Sequence, residues 1–436
     1  MKHNLLMYYL RNGVEMVRKN GLRALLDPVG TLSKYSQETA FGNTLSLVKS
    51  LDFSSIDLAE NARLMERYRT MRDKQVDTAN WFIPCFDHVY GGIHSILRFA
   101  DYFCTKKGVK NRLIIYGNPS ASQDEIIDKI SNVFPNFKID EIVVLRNQNL
   151  ASVPDADICI ATLWTSAYLV LKFNRTKGKF YFIQDYEPLA YPAGSLYALA
   201  EATYRFGFYG IVNTPGLHEI FVRDYRGIAE YFTPPVDTEI FYPSERALAK
   251  PSIEKPLTIF FYARPDRQHN AFELGIATLQ KIKQKYGKKV RIYTAGTKWN
   301  PTNHEFENTF IDLGALPYRK TASLYRKCDL GIAFSLSKHP SYIPSELMAC
   351  GCPVVANYNP ATTWLLKDRF NCLLTEPSVS CVREKVETLM NDPVLRKKIA
   401  KNALDSLPKT SWDSEIEKIY RFISNPHVIE RALLGG

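Results

Sequence analysis

The sequence has no apolar run approaching the roughly 18–20 residues that a membrane-spanning helix needs. It shows no leader with a basic start, an apolar centre and a small-residue cleavage site. The expectation is a cytoplasmic chain without a spanning segment. CxxC pairs are also missing. Of the eight cysteines, Cys85, Cys104, Cys159, Cys328 and Cys372 lie in apolar contexts, and Cys350-x-Cys352 lacks the partners that a zinc site requires. Free buried thiols in a reducing compartment follow. Acidic residues are in deficit, 45 against 56 basic ones, for a formal charge of +11. That surplus suits anionic partners, and without a nucleic-acid motif these reduce to nucleotide phosphates or an anionic membrane face.

What remains is the composition of a soluble globular protein, 45% hydrophobic and 23% charged over 436 residues, long enough for two domains. Residues 1–76 read as a helical extension. In its first helix Leu6, Leu10, Val14, Val17 and Leu25 share one side, with basic residues over the other. Such a helix can lie on anionic lipid or pack on the protein's own surface. From Trp81 onward strands alternate with helices, which argues for doubly wound parallel sheets. Pro234 to Pro243 form a stiff connector, giving domains at 77–236 and 237–410 and a last helix over 411–436.

Several stretches leave strands at the carboxyl edge, where open α/β sheets bind ligands. Gly91-Gly92 before a helix allows close approach of a phosphate to backbone N–H groups, although a tight turn is the simpler account. Gln184-Asp185-Tyr186-Glu187-Pro188 offers two carboxylates to bind acceptor hydroxyls or take up a proton; capping of the following segment is the alternative. Arg264, Arg267 and His269 follow the strand Leu257 to Ala263 and can meet a diphosphate. The string S-L-S-K-H-P-S-Y-I-P-S-E runs from a strand at Leu330 to Phe334 into a helix expected to open at Pro344, with Glu346 in its first turn. Glu346 can accept two ribose hydroxyls, or can simply favour the helix dipole. Asp155-Ala-Asp157 precedes its strand, at the wrong edge, and reads as a turn.

The run P-S-E-L-M-A-C-G-C-P-V-V-A, the hinge string and Gly91-Gly92 together resemble family 4 glycosyltransferases, which have the two-domain GT-B architecture. That resemblance implies a fold of two Rossmann-like domains facing across a cleft, with Glu346 holding the donor ribose, Arg264 and His269 (or Arg267) the diphosphate, and Gly91 and Gly92 the reaction centre. It implies no bound metal or other cofactor. Lys338 stands where the family commonly has a glutamate. S-x-H-P-S-Y-x-P-x-E and Q-D-Y-E-P resemble a rhamnosyltransferase branch that builds bacterial surface glycans, which adds His339 and Tyr342 as donor contacts and Asp185 and Glu187 on the acceptor side. The implied partners are a nucleotide sugar, dTDP-rhamnose, and an oligosaccharide or lipid-linked glycan acceptor. A nucleotide-sugar 2-epimerase of the same fold and a glycan-binding subunit without turnover are the alternatives.

Overall fold

A computed structural model describes residues 42–71, 74–89, 91–117, 120–243, 256–301, 306, 308–339 and 341–426. The amphipathic helix expected over residues 6–25 lies outside them. Within them no helix is long and apolar enough to cross a membrane.

After a short helix over 42–50, α1 (Ser55–Thr70) is opened by a capping box between Ser54 and Asp57. The first lobe follows with β1 (Thr78–Pro84), α2 (Gly91–Lys107), β2 (Lys110–Tyr116), α3 (Gln123–Ser131), β3 (Glu141–Val144), β4 (Ala156–Ala161), α4 (Trp164–Lys172), β5 (Thr176–Ile183), α5 (Ser195–Ala202), β6 (Tyr209–Asn213), α6 (Pro215–Tyr225) and β7 (Ala229–Phe232). The second lobe comprises β8 (Leu257–Ala263), α7 (Phe272–Tyr286), β9 (Val290–Gly296), β10 (Ile311–Asp312), α8 (Tyr318–Tyr325), β11 (Leu330–Ile332), α9 (Tyr342–Ala349), β12 (Val354–Asn357), β13 (Leu373–Thr375), α10 (Val379–Asn391) and α11 (Pro393–Asp405). The chain then returns to the first lobe as α12 (Trp412–Ser424).

All strand pairs are parallel. The sheet orders are β3-β2-β1-β4-β5-β6-β7 and β10-β9-β8-β11-β12-β13. The strands are short apolar runs because helices cover both faces of each sheet. Trp81, Phe180 and Phe182 are buried on one side of the first sheet, and Phe82, Tyr181 and Ile183 on the other. In each lobe the winding reverses beside the first strand, between β1 and β4 and between β8 and β11. Those reversals are the places where the sheet edge splays into a crevice.

Two differences from the sequence reading matter for the site. The helix expected to begin at Pro344 begins at Tyr342, with Ser341 accepting the Ile343 N–H at 3.2 Å. Pro344 is therefore the third helical residue, where its missing N–H has no intrahelical role. Glu346 consequently lies beyond the first turn and gains little from the helix dipole. The DxD, expected as a turn ahead of its strand, runs into it: Ala156 and Asp157 are the first two residues of β4, and Asp157, at the amino edge as expected, accepts the N–H groups of Asp77 and Thr78 and pairs with Lys177.

Candidate functional site

Glu346, on α9, is a buried carboxylate of the second lobe. It is 7% exposed, and no described residue donates a hydrogen bond to its carboxylate. Burial, aided by the negative charge of Asp237, pushes its carboxyl up to about 8. Tyr318 and Tyr325 stand close enough to feel its charge. A buried carboxylate without donors is unfavourable by itself, and suits a site that waits for hydroxyl groups from a ligand.

Arg264 leaves β8 beside the reversal point. Its Nε and Nη2 donate to Asp266 at 3.1 and 2.9 Å, and Nη1 donates to the Tyr262 hydroxyl at 3.1 Å. Three of its five N–H groups are thus engaged, which fixes the guanidinium plane and leaves two for an anion. Asp266, held well below the usual carboxylate range mainly by Arg264, also accepts from Thr297. Arg267 is exposed and only loosely paired with Asp266, at 3.7 Å. His269 sits in a 3-10 turn, and burial lowers its affinity for a proton, so it offers a neutral imidazole. The loop after β11 lies alongside, tied by the Leu336 N–H to the His269 carbonyl at 2.7 Å. There the His339 Nε2 is buried without a partner, and burial pulls the ring down to about 4.

On the first lobe, Gly91 opens α2 at φ +53°, and an added Cβ there would meet nothing within 4 Å. Its requirement is conformational, for the left-handed region. Gly92 differs, since a Cβ would come within 2.8 Å of Gln184 Nε2, which donates to the Gly92 carbonyl at 3.2 Å. Both glycines are exposed, open to a ligand at the β1 side of the reversal point.

Asp185 and Glu187, paired in the sequence, part company in the structure. The Glu187 carboxylate accepts the Trp164 N–H at 2.6 Å and the Tyr181 hydroxyl at 2.5 Å. It caps the start of α4, which has no side-chain cap of its own, and burial pushes it up to about 8. Its place is thus inside the first lobe; the capping alternative describes it, with the difference that the capped helix precedes it in the chain. Asp185 instead faces the other lobe, its Oδ1 accepting from Ser337 Oγ at 2.7 Å.

The cleft is closed by further contacts of this kind. Asn213 Nδ2 donates to the Tyr342 hydroxyl at 2.7 Å, and the Lys338 ammonium lies 4.7 Å from the centre of the Tyr186 ring. Tyr342 therefore touches the opposite lobe. Asn213 and Thr214 gave no signal in the sequence. Both are buried with an unpartnered side-chain oxygen, and Thr214 adopts φ +74°, a strained value for a β-branched residue. Arg98 was likewise silent. It makes two hydrogen bonds to the hinge residue Asp237, at 2.9 and 3.0 Å, and stacks 4.4 Å from the Trp412 ring of α12. Tyr318 completes the joint by donating to Asp237 at 3.1 Å.

Arg264, His269, His339, Asp185, Tyr342 and Glu346 thus line facing carboxyl edges of two doubly wound sheets. Solved structures share this fold of two doubly wound lobes. TarM from S. aureus, in complex with fondaparinux, a GlcNAc-glycerol and UDP, aligns with a TM-score of 0.62 and 11% identity over 80% of this chain and 100% of its own. Anabaena HepE, in complex with UDP and glucose, aligns with a TM-score of 0.58 and 13% identity over 81% and 99%. Among curated relatives, the O-antigen biosynthesis protein RfbC of Myxococcus xanthus is 40% identical over 351 residues, which are 80% of this chain. The chain spans about a quarter (27%) of that relative's length. The sequence matches the family description "WsaF, N-terminal domain" over residues 79–212 and "WsaF, C-terminal domain" over 257–387. With one lobe matching each half of that pair, the chain belongs to the WsaF family and has the GT-B fold.

Proposed function

We propose that the chain is a retaining glycosyltransferase that moves a sugar from a nucleotide donor, L-rhamnose from dTDP-rhamnose, onto a growing bacterial surface polysaccharide or its lipid-linked precursor. The observation that carries this reading is Glu346, a buried carboxylate without donors in the same cleft as a partly engaged arginine. The first accepts two ribose hydroxyls, and the second meets the diphosphate. Arg264 supplies fixed positive charge as the bond from the anomeric carbon to the diphosphate oxygen breaks. His269 adds an N–H, and Arg267 a screened charge at the rim. Gly91 and Gly92 keep the opposite wall low enough for the sugar and for the acceptor hydroxyl, whose oxygen bonds the anomeric carbon as its proton passes to the departing diphosphate oxygen. No metal is needed, because side chains carry the neutralising charge.

Relatives support the coarser part of this reading. HepE is solved with UDP and glucose, and the M. xanthus relative is an O-antigen biosynthesis protein. The rhamnosyl donor rests on the S-x-H-P-S-Y-x-P-x-E and Q-D-Y-E-P strings. The net charge of +11 suits peripheral attachment to an anionic inner membrane face, where a lipid-linked acceptor would be met.

A thermal-shift screen of purified protein against dTDP, UDP and GDP sugars tests the donor. Saturating dTDP-rhamnose is expected to raise the unfolding midpoint by several degrees, since a ligand at a hundred times its Kd stabilises by about 2.7 kcal/mol. Release of dTDP should then require a glycan acceptor. Donor turnover without acceptor would replace transfer by epimerisation, and binding without turnover on any glycan would leave only an assembly subunit.

A further inference from the structure

Resting on the glycosyl-transfer reading, we infer that Asp185 is the carboxylate that holds the hydroxyls of the transferred sugar, so that the donor-sugar subsite is completed by the acceptor-side lobe. The argument begins with what the second lobe lacks. Sugars are held largely by carboxylates, which accept paired hydroxyl hydrogen bonds. The loop after β11, beside the reversal point, presents Ser337, Lys338 and His339. None is a carboxylate, and Lys338 turns its ammonium away onto Tyr186 of the first lobe.

The carboxylates nearby are engaged or stand apart, save one; Asp224, whose charge feels Lys338, is paired with Arg223. Asp266 is engaged by Arg264 and Thr297, and Glu187 by Trp164 and Tyr181. Glu346 lies on the hinge side, among Tyr318, Tyr325 and Asp237. Asp185 enters from the end of β5, and its charge acts on both His269 and His339. Its Oδ1 takes the Ser337 hydroxyl at 2.7 Å and its own neighbour's N–H at 2.7 Å. Oδ2 receives no hydrogen bond from any described residue.

These positions give a sequence along the cleft. The nucleoside starts at Glu346, the diphosphate passes Arg264 and His269, and the sugar arrives where Asp185 meets the loop after β11. Ser337 is then a positioning residue, aiming Asp185 only when the lobes are together. Sugar recognition and closure become one event, and a donor cannot be fully held by the second lobe alone.

Titration calorimetry of the full chain with dTDP and with dTDP-rhamnose tests this. The wild type is expected to bind the sugar nucleotide at least tenfold more tightly than dTDP. Asp185→Asn should erase that advantage while leaving the dTDP Kd within twofold, which also shows that the variant is folded. Ser337→Ala should lose about threefold of the advantage and Ser337→Thr should restore it, a pattern that a purely structural hydroxyl would not give. An advantage retained in Asp185→Asn overturns the inference. So does a wild type that binds dTDP but gains nothing from the sugar. If neither ligand binds the wild type, the glycosyltransferase reading falls as well.

Discussion

Two glutamates, one in each lobe, make the most instructive comparison in the molecule. Glu187 and Glu346 are both pushed up to about 8, in each case chiefly by burial. Their surroundings differ. Glu187 has an N–H and a hydroxyl aimed at it from elements already in place, whereas Glu346 has neither. The same shift therefore marks a structural cap in one lobe and, in the other, a buried carboxylate for which the proposed donor would supply the hydroxyl groups. A displaced proton affinity identifies a candidate, and the count of hydrogen-bond donors decides its role.

Substitutions at the two positions should separate those roles. Glu346→Ala removes two charge-assisted hydrogen bonds to the ribose, at roughly 1.5–3 kcal/mol each. Affinity for dTDP by calorimetry should fall at least about a hundredfold, with the unfolding midpoint of the free protein unchanged or raised. Glu187→Ala should do the reverse. It leaves the Trp164 N–H and the Tyr181 hydroxyl buried without an acceptor, at about 1–3 kcal/mol for each, so denaturant unfolding should show a loss of a few kcal/mol while dTDP affinity stays within twofold. An intact fold with lost binding in Glu187→Ala would move that residue back into the cleft.

A smaller effect concerns pH. Both carboxyls bind their protons more tightly folded than unfolded, so the stability they contribute is full below the ordinary carboxylate range. It is lost as pH rises through about 8. The unfolding midpoint of the ligand-free wild type should fall between pH 6 and pH 9, and Glu346→Gln should flatten part of that decline. An equal slope in the variant would mean that Glu346 is better solvated than its burial implies.

Much of this is legible in the sequence alone. The strand at Leu257–Ala263 appears with the expected bounds, and alternation alone implied two parallel sheets, because apolar strands of this length need helices on both faces. The connector was marked by its prolines. Harder to read was anything set by contacts distant in sequence. Glu187 looked like a partner of Asp185 because the two are neighbours in the chain; its donors come from Trp164, 23 residues away, and from the strand before it. The contact of Asp185 with Ser337 spans 152 residues, and the strain at Thr214 has no signature in residue type. Proline placed the start of α9 two residues late, since it is tolerated anywhere in the first turn. The three-residue β13 was too short to show any period.

The return of α12 reaches beyond the cleft. Ile416, Ile419, Phe422 and Ile423 complete the core of the first lobe, at about 1.5–3 kcal/mol for each buried side chain. Tyr68, near the start of that lobe, donates to the Ile423 carbonyl. During synthesis on the ribosome, then, the lobe made first, whose last strand ends at Phe232, waits for the helix that starts at Trp412 before its interior can be sealed. An unfinished chain shows an oily flank in the meantime, and cutting the gene at the hinge would yield two fragments of which the earlier one cannot mature alone.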